Sequence, residues 1–242
     1  MDSYDIETGK HFENFAPLDA PNFRLGFIRK VYLILTTQLV ATVLMSVISM
    51  KTNFGKFQLE TPFLIYFFLI LAVVLAIIIG CFRSVARKVP TNYILLALFT
   101  FSEAYGVSAI CAIYYYEGYG SLIIWAAVLT LSMTAALTIY AYTTKSDFTT
   151  YGGVLFVISL GLLFFAILAI FTQLRFLQIL ITIATIILYG VYLVYDTQLI
   201  VGGKRFQLSI DDYIIGAIQL YLDIIILFLE ILKLLSYLTE KK

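Results

Sequence analysis

Residues 213–235 read YIIGAIQLYLDIIILFLEILKLL, an apolar run that contains only two acids and one lysine. A helix of this length rises about 35 Å, enough to cross a hydrocarbon core of roughly 30 Å. Six further apolar runs precede it, at about 31–50, 63–82, 92–113, 121–142, 151–172 and 176–201. The sequence therefore predicts an all-α polytopic membrane bundle of seven transmembrane helices. The seventh run is the most acidic, which favours a central position for it.

The composition agrees with a membrane protein and excludes other classes. Of the 242 residues, 62% are hydrophobic and 13% are charged, against roughly 45–50% and about 25% in soluble domains. Mean hydropathy is +0.97. The net charge of +1 gives no basic surface for nucleic acid, and Cys81 and Cys111 have neither disulfide nor metal spacing. We expect the lipid bilayer as a partner, no nucleic acid and no cofactor.

Charge and hydropathy divide the chain into three parts. Residues 1–30 are acidic and lack the apolar core of a cleavable signal peptide, which predicts a disordered cytoplasmic tail. Residues 31–238 form the transmembrane domain, and residues 239–242 form a short C-terminal tail. Because the connections between spans are short, we expect one compact bundle.

Basic residues in the connections predict the orientation. Three of them, Lys51, Lys56 and Arg175, lie on one side of the predicted bundle. Nine lie on the other side, which is also the N-terminal side: Arg24, Arg29, Lys30, Arg83, Arg87, Lys88, Lys145, Lys204 and Arg205. The positive-inside rule then predicts a cytoplasmic N-terminus. Seven full spans place the basic C-terminal tail outside, against the same rule, so a re-entrant seventh segment is an open alternative.

Four acids lie within the apolar runs. They are Glu103 in the third run, Asp196 in the sixth, and Asp223 and Glu230 in the seventh. An ionised carboxylate is costly at membrane depth unless it is paired or hydrated, so each acid indicates either a functional group or a protonated structural one. Lys233, three residues beyond Glu230, favours a local ion pair for that acid.

The seventh run carries its polar residues on one face. Gly216, Gln219, Asp223 and Glu230 follow steps of 3, 4 and 7, which is helical spacing. The sixth and seventh helices run antiparallel across a short loop, so Asp196 and Asp223 are expected to approach each other. Adjacent carboxyl groups cannot both ionise cheaply. This arrangement predicts a pH-sensitive gate or a cation site.

Oxygen ligands of this kind suit Ca²⁺ better than zinc, because the chain has one histidine and no Cys/His cluster. Asp196 and Asp223 are the candidate Ca²⁺ ligands. Arg83 and Arg87 are candidate gate partners that supply a cation to the pair, and both also fit the role of positive-inside anchors. The stretch Ser209-Ile210-Asp211-Asp212 resembles a capping box, which predicts that Ser209 caps the seventh helix.

Several motifs resemble one family, the transmembrane Bax-inhibitor-motif proteins. Its C-terminal signature is similar to Val194-Tyr195-Asp196-Thr197-Gln198, Asp211-Asp212-Tyr213-Ile214 and Leu220-Tyr221-Leu222-Asp223-Ile224-Ile225. Supporting matches to the lifeguard and Golgi anti-apoptotic branch are Arg29-Lys30-Val31-Tyr32, Arg87-Lys88-Val89-Pro90, Phe99-Thr100-Phe101-Ser102-Glu103-Ala104 and Thr144-Lys145-Ser146-Asp147-Phe148. The resemblance covers nearly the whole chain.

The resemblance implies a seven-helix bundle that leaks Ca²⁺ from intracellular stores and inhibits apoptosis. It implies residence in the Golgi or endoplasmic reticulum membrane, with the plasma membrane as an alternative, and apoptosis-regulating membrane proteins as partners. It assigns Asp196 and Asp223 to a pH-sensing pair and places Asp212 and Glu103 on the ion path. Ca²⁺ is then the permeant ion rather than a cofactor.

Two other functions compete with an ion leak. A non-conducting membrane adaptor is compatible with apoptosis inhibition but needs no acids within its spans. An intramembrane aspartyl protease needs a carboxyl pair that shares a proton. However, Leu220-Tyr221-Leu222 precedes Asp223, where such proteases carry Gly-x-Gly. We therefore expect no enzymatic activity.

Overall fold

The computed structural model describes residues 20–239 and shows an all-helical architecture. These residues form nine α-helices and one 3-10 turn, Phe148–Tyr151, which leads into the seventh helix. The helices are α1 Ala20–Lys51, α2 Asn53–Glu60, α3 Pro62–Cys81, α4 Arg83–Arg87, α5 Thr91–Tyr116, α6 Gly120–Thr143, α7 Gly152–Thr172, α8 Arg175–Val201 and α9 Tyr213–Thr239.

Seven of the described helices, α1, α3 and α5 to α9, are long and apolar enough to cross a membrane. This confirms the predicted seven-span bundle. Helix α9 is continuous over 27 residues, a rise of about 40 Å. Tyr213 at its start accepts a hydrogen bond from Asn92 at the start of α5, and Ser236 near its end contacts Tyr114 near the end of α5. A continuous helix that runs beside α5 from end to end argues against the re-entrant alternative.

The predicted central position of the last helix is also confirmed. Helix α9 packs against α1, α5, α6 and α8, and it touches α3 and α4. The rings of Phe99 on α5 and Tyr221 on α9 meet edge to face at 5.9 Å, and both side chains are fully buried. Helix α7, in contrast, packs only on α8 and the preceding turn within the described chain. Its exposed apolar side chains form lipid-facing surface.

The first helix begins earlier than the hydropathy pattern predicts. It starts at Ala20 rather than near residue 31, so it includes residues 20–30, which the sequence assigned to the tail. Phe27 is buried in the core, but Arg24, Arg29 and Lys30 lower the mean hydropathy of this segment, so a hydropathy count does not assign it to the first span. The rest of the predicted acidic tail, residues 1–19, and residues 240–242 lie outside the described residues.

Two short helices were not predicted because each is too short to span. Helix α2 closes one end of the bundle, where Gln58 is fully buried. Its Nε2 donates to the Tyr105 carbonyl at 3.3 Å and to Ser108 Oγ at 3.0 Å, and its Oε1 accepts from Ser49 Oγ. A Cβ added at Gly55 would overlap the Ser49 carbonyl oxygen, so only glycine permits this close approach of α2 to α1.

The connection between α8 and α9, residues 202–212, lies at the opposite end of the bundle. Helix α8 stops where Gly202 and Gly203 adopt φ of +77° and +78°, values that glycine tolerates without strain. Three of the described basic side chains converge on this connection and on the start of α9, those of Arg24, Lys30 and Arg87. Lys204 of the connection itself donates to the Thr144 carbonyl. We call this end of the bundle the basic end.

Candidate functional site

The structure brings Asp196 of α8 and Asp223 of α9 together inside the bundle. Their carboxyl groups lie close enough to share a hydrogen bond, and the residues are only 5% and 4% exposed. Their position follows from the antiparallel packing of α8 on α9. Asp196 lies about 8 Å from the end of α8 and Asp223 about 15 Å from the start of α9, by helical rise. Gln219, one turn before Asp223, donates from Nε2 to Asp196 Oδ1 at 3.3 Å.

This carboxyl pair has no cation to balance it among the described residues. The other titratable side chains that interact with it are Tyr189, Tyr192 and Tyr195, all on α8. Two buried carboxyl groups this close cannot both be ionised cheaply, so the arrangement favours one shared proton. Asp223 Oδ2 and Gln219 Oε1 are buried and lack a hydrogen-bond partner within the described chain.

A cavity of about 350 Å³ leads from the basic end towards this pair. Arg83 and Asp212 line it, as does Gln219, the residue that bonds Asp196. Apolar side chains from α3 and α9, such as Ile79 and Leu222, form its walls. The cavity therefore connects a charged surface to the amide that touches the carboxyl pair.

Arg87 engages Asp212 rather than the carboxyl pair. Its Nε and Nη2 donate to the two carboxylate oxygens of Asp212 at 2.8 and 2.9 Å, a bidentate ion pair. The Asp212 side chain is 2% exposed and that of Arg87 is 37% exposed. The hydrogen bonds to Asp212 raise the pKa of the Arg87 guanidinium. Arg83 lines the cavity, and within the described residues neither arginine bonds to Asp196 or Asp223.

The predicted cap of the seventh helix differs in detail. Helix α9 begins at Tyr213, so Asp212 and not Ser209 occupies the position before its first residue. The Asp212 carbonyl accepts from the Gly216 amide at 3.0 Å, and the Ser209 carbonyl accepts from the Asp212 amide at 3.0 Å. The carboxylate of Asp212 pairs with Arg87, and that pairing joins α4 to the start of α9.

A second contact, centred on Asp147, holds the α8–α9 connection against the turn between α6 and α7. Asp147 accepts from the amide and the hydroxyl of Thr149 at 3.0 and 2.6 Å and from the Arg205 amide at 3.0 Å. The Thr149 hydroxyl, with the other donors and the nearby charge of Lys204, holds the pKa of Asp147 below its usual value. The sequence placed Asp147 in a motif but gave no signal for this contact.

Arg24 completes the fixation of the connection. Its guanidinium donates to the carbonyls of Leu199, Val201 and Leu208 at 2.6, 3.2 and 2.7 Å. The hydropathy analysis treated Arg24 only as a topogenic charge. Arg24 is far from Leu199, Val201 and Leu208 in the sequence, so residue spacing does not predict that it binds these carbonyls.

Glu103 does not join the carboxyl pair. It is partly buried on α5 and close enough to the Tyr221 hydroxyl to interact with it electrostatically. Tyr221 and Asp223 are two residues apart and so point to nearly opposite faces of α9. Helices α5 and α8 make no contact with each other. The predicted role of Glu103 on an ion path therefore stays a prediction.

The described residues contain no cluster of three or more His, Cys, Asp or Glu side chains that could hold a metal ion. What the pair offers is a set of oxygens, from Asp196, Asp223 and the unpartnered Gln219 Oε1. Ca²⁺ commonly takes six to eight oxygen ligands. The arrangement thus fits a hydrated ion in passage better than a tightly held one.

Comparison with known proteins identifies the family of this chain. The family model described as "Inhibitor of apoptosis-promoting Bax1" matches residues 24–240. The chain belongs to the Bax-inhibitor family. It is 35% identical over 240 residues to Protein LIFEGUARD 4 of Arabidopsis thaliana, covering 95% of this chain and 94% of that protein. It is 32% identical over 240 residues to Protein lifeguard 3 of Homo sapiens, covering 96% of this chain and 76% of that protein.

Membership of the Bax-inhibitor family confirms the resemblance identified from the C-terminal motifs. A third relative, Protein LIFEGUARD 1 of Arabidopsis thaliana, is 33% identical over 243 residues, covering 98% of this chain and all of that protein. Together with the seven apolar helices, the family makes this chain a multi-pass integral membrane protein. The roles of Asp196, Asp223, Asp212 and Glu103 stay predictions.

Proposed function

We propose that this Bax-inhibitor family protein is a pH-sensitive Ca²⁺ leak of an intracellular membrane, the Golgi or endoplasmic reticulum, and inhibits apoptosis by lowering store Ca²⁺. The observation that carries the proposal is the close, buried pair of Asp196 and Asp223, which Gln219 links to the cavity at the basic end. Acids buried in a membrane bundle mark ion or proton pathways more often than structural contacts. The family supports the anti-apoptotic part.

Protonation of the pair sets the gate in this mechanism. While one proton is shared, the Asp196–Asp223 hydrogen bond holds α8 against α9 and closes the path. Loss of that proton leaves two negative charges in contact, and their repulsion favours separation of the carboxylates and entry of water. The separated carboxylates, with Gln219 Oε1, then offer oxygen ligands to a passing cation. Flux therefore rises as pH rises.

The nine basic residues counted in the sequence place the basic end, and with it the N-terminus, on the cytoplasmic side in this proposal. The pair then senses cytoplasmic pH through the cavity lined by Arg83, Asp212 and Gln219. Asp212 stands at the cytoplasmic entrance of the path, where Arg87 neutralises it.

The test is Ca²⁺ flux into proteoliposomes that contain only this protein, measured with a trapped dye across a pH series. Asp223→Asn and Asp196→Asn each remove one member of the pair, and an amide cannot carry the charge that separates the carboxylates. We expect both variants to lose most of the pH dependence of flux. Glu230→Gln is the matched control, because it also neutralises an acid of α9 but one that Lys233 already pairs at 3.5 Å.

Unchanged, pH-dependent flux in Asp223→Asn would remove the pair from the mechanism. A larger effect of Glu230→Gln than of Asp223→Asn would assign the path to the other acid. Absence of flux from correctly folded protein, with apoptosis protection retained in cells, would favour the adaptor function instead. Cleavage of a membrane peptide that Asp223→Asn abolishes would favour a protease, which needs the same carboxyl contact.

A further inference from the structure

The cavity at the basic end has the features of a lipid site. Its inner walls are apolar, with Ala76 and Ile79 on α3 facing Ile218 and Leu222 on α9. Its volume of about 350 Å³ falls within the usual range for sites that bind small molecules. An occupant that matches these walls needs an apolar part.

One arginine at the mouth of the cavity has no ion-pair partner among the described residues. Arg83 and Asp212 both line the cavity, but both oxygens of Asp212 are held by Arg87. Arg83 is exposed, and no described residue gives its guanidinium a hydrogen bond or an ion pair. A guanidinium presents donors in a fork that matches phosphate oxygens. The mouth therefore favours an anionic group, in particular a phosphate.

The cavity also opens sideways towards lipid. Helices α3 and α8 flank α9 but do not contact each other. A stripe of α9 between them, Ile215, Gln219, Leu222 and Ile226, is only partly buried. A hydrocarbon chain lying along this stripe has a direct route into the cavity from the bilayer, whereas a water-soluble ligand gains nothing from it.

We propose that the cavity binds one anionic phospholipid of the surrounding leaflet, with its phosphate on Arg83 and an acyl chain along α9 towards Gln219. Free inorganic phosphate would leave the apolar walls without a partner, and a neutral lipid would leave the charge of Arg83 without one. This lipid occupies the cavity that the proposed leak uses as its cytoplasmic entrance. Its retention is measured without ion flux, so failure of lipid binding and failure of the leak are distinguishable.

The test is native mass spectrometry of the full-length protein released from nanodiscs of equal parts phosphatidylglycerol and phosphatidylcholine. We expect wild-type protein to retain one phosphatidylglycerol in preference to phosphatidylcholine. Arg83→Gln should reduce that preference about fivefold, the effect of one basic side chain at a membrane surface. Arg29→Gln is the matched control, because Arg29 is exposed at the same end and does not line the cavity.

A second variant tests the cavity without changing charge. A side chain added at Gly80, which lines the cavity, meets open space, so Gly80→Leu fills the site and should abolish lipid retention while leaving the fold intact. Equal losses in Arg83→Gln and Arg29→Gln, or full retention in Gly80→Leu, would show adsorption by surface charge only and overturn the proposal. Retention of inorganic phosphate alone, lost in Arg83→Gln but not in Gly80→Leu, would also overturn it.

Discussion

The ion pair of Arg87 and Asp212 allows a quantitative prediction about the basic end. Replacing Arg87 by Gln leaves the Asp212 carboxylate, 2% exposed, without its cation. Breaking a fully buried pair costs roughly 3–5 kcal/mol and an exposed pair contributes about 0.2–1 kcal/mol. Because the Arg87 side chain is 37% exposed, solvent screens part of the interaction and the cost falls between these two limits. We expect the local opening equilibrium at the start of α9 to rise by about one order of magnitude.

Hydrogen exchange followed by mass spectrometry of the purified protein measures this opening. The reporters are the Asp212 and Gly216 amides, which bond to the Ser209 and Asp212 carbonyls. Asp212→Asn should destabilise the start of α9 less than Arg87→Gln does. The Arg87 side chain that remains in Asp212→Asn can be hydrated, whereas the Asp212 carboxylate that remains in Arg87→Gln is buried. The double variant should recover part of the loss. Unchanged exchange in Arg87→Gln, or losses that simply add in the double variant, would refute the reasoning.

Three further predictions concern other parts of the chain. Gly55→Ala should destabilise the protein by about 1–3 kcal/mol, seen as a lower thermal unfolding midpoint in detergent, whereas Gly161→Ala, where a Cβ meets open space, should not. The pKa of Asp147 is lower in the fold than in the unfolded chain, so its stabilising contacts are present above about pH 4 and are lost as pH falls below that. Spin labels at Ser146→Cys and Phe206→Cys should separate only in that acid range, and Asp147→Asn should remove the transition. With Cys81 and Cys111 replaced, Thr239→Cys and Ser146→Cys should react with an impermeant reagent from opposite sides of the membrane; labelling from one side would contradict seven spans.

The sequence predicts the spans well because hydropathy depends on composition over about 20 residues, which local packing does not alter. It also predicts the approach of Asp196 to Asp223, since a short connection forces α8 and α9 to run antiparallel. It does not separate Arg83 from Arg87. These residues are four apart on a short helix of five residues, and their partners depend on where α4 docks against α9. The same limit applies to Glu103, whose helix packs on a different face of α9 from α8.

The packing of α9 suggests which helix yields when the carboxyl pair ionises. Tyr221 bonds to Thr42 of α1 at 2.8 Å and its ring meets Phe99 of α5, so the face of α9 opposite Asp223 is fixed to two helices. Its first residue, Tyr213, is held by Asn92 at 3.0 Å. Helix α8 packs on α6 and carries α7 on its outer side, and Arg24 holds the Leu199 and Val201 carbonyls in its last turn. Repulsion between the carboxylates therefore works against these contacts, and α7 is expected to move with α8 because, within the described chain, no other helix holds it.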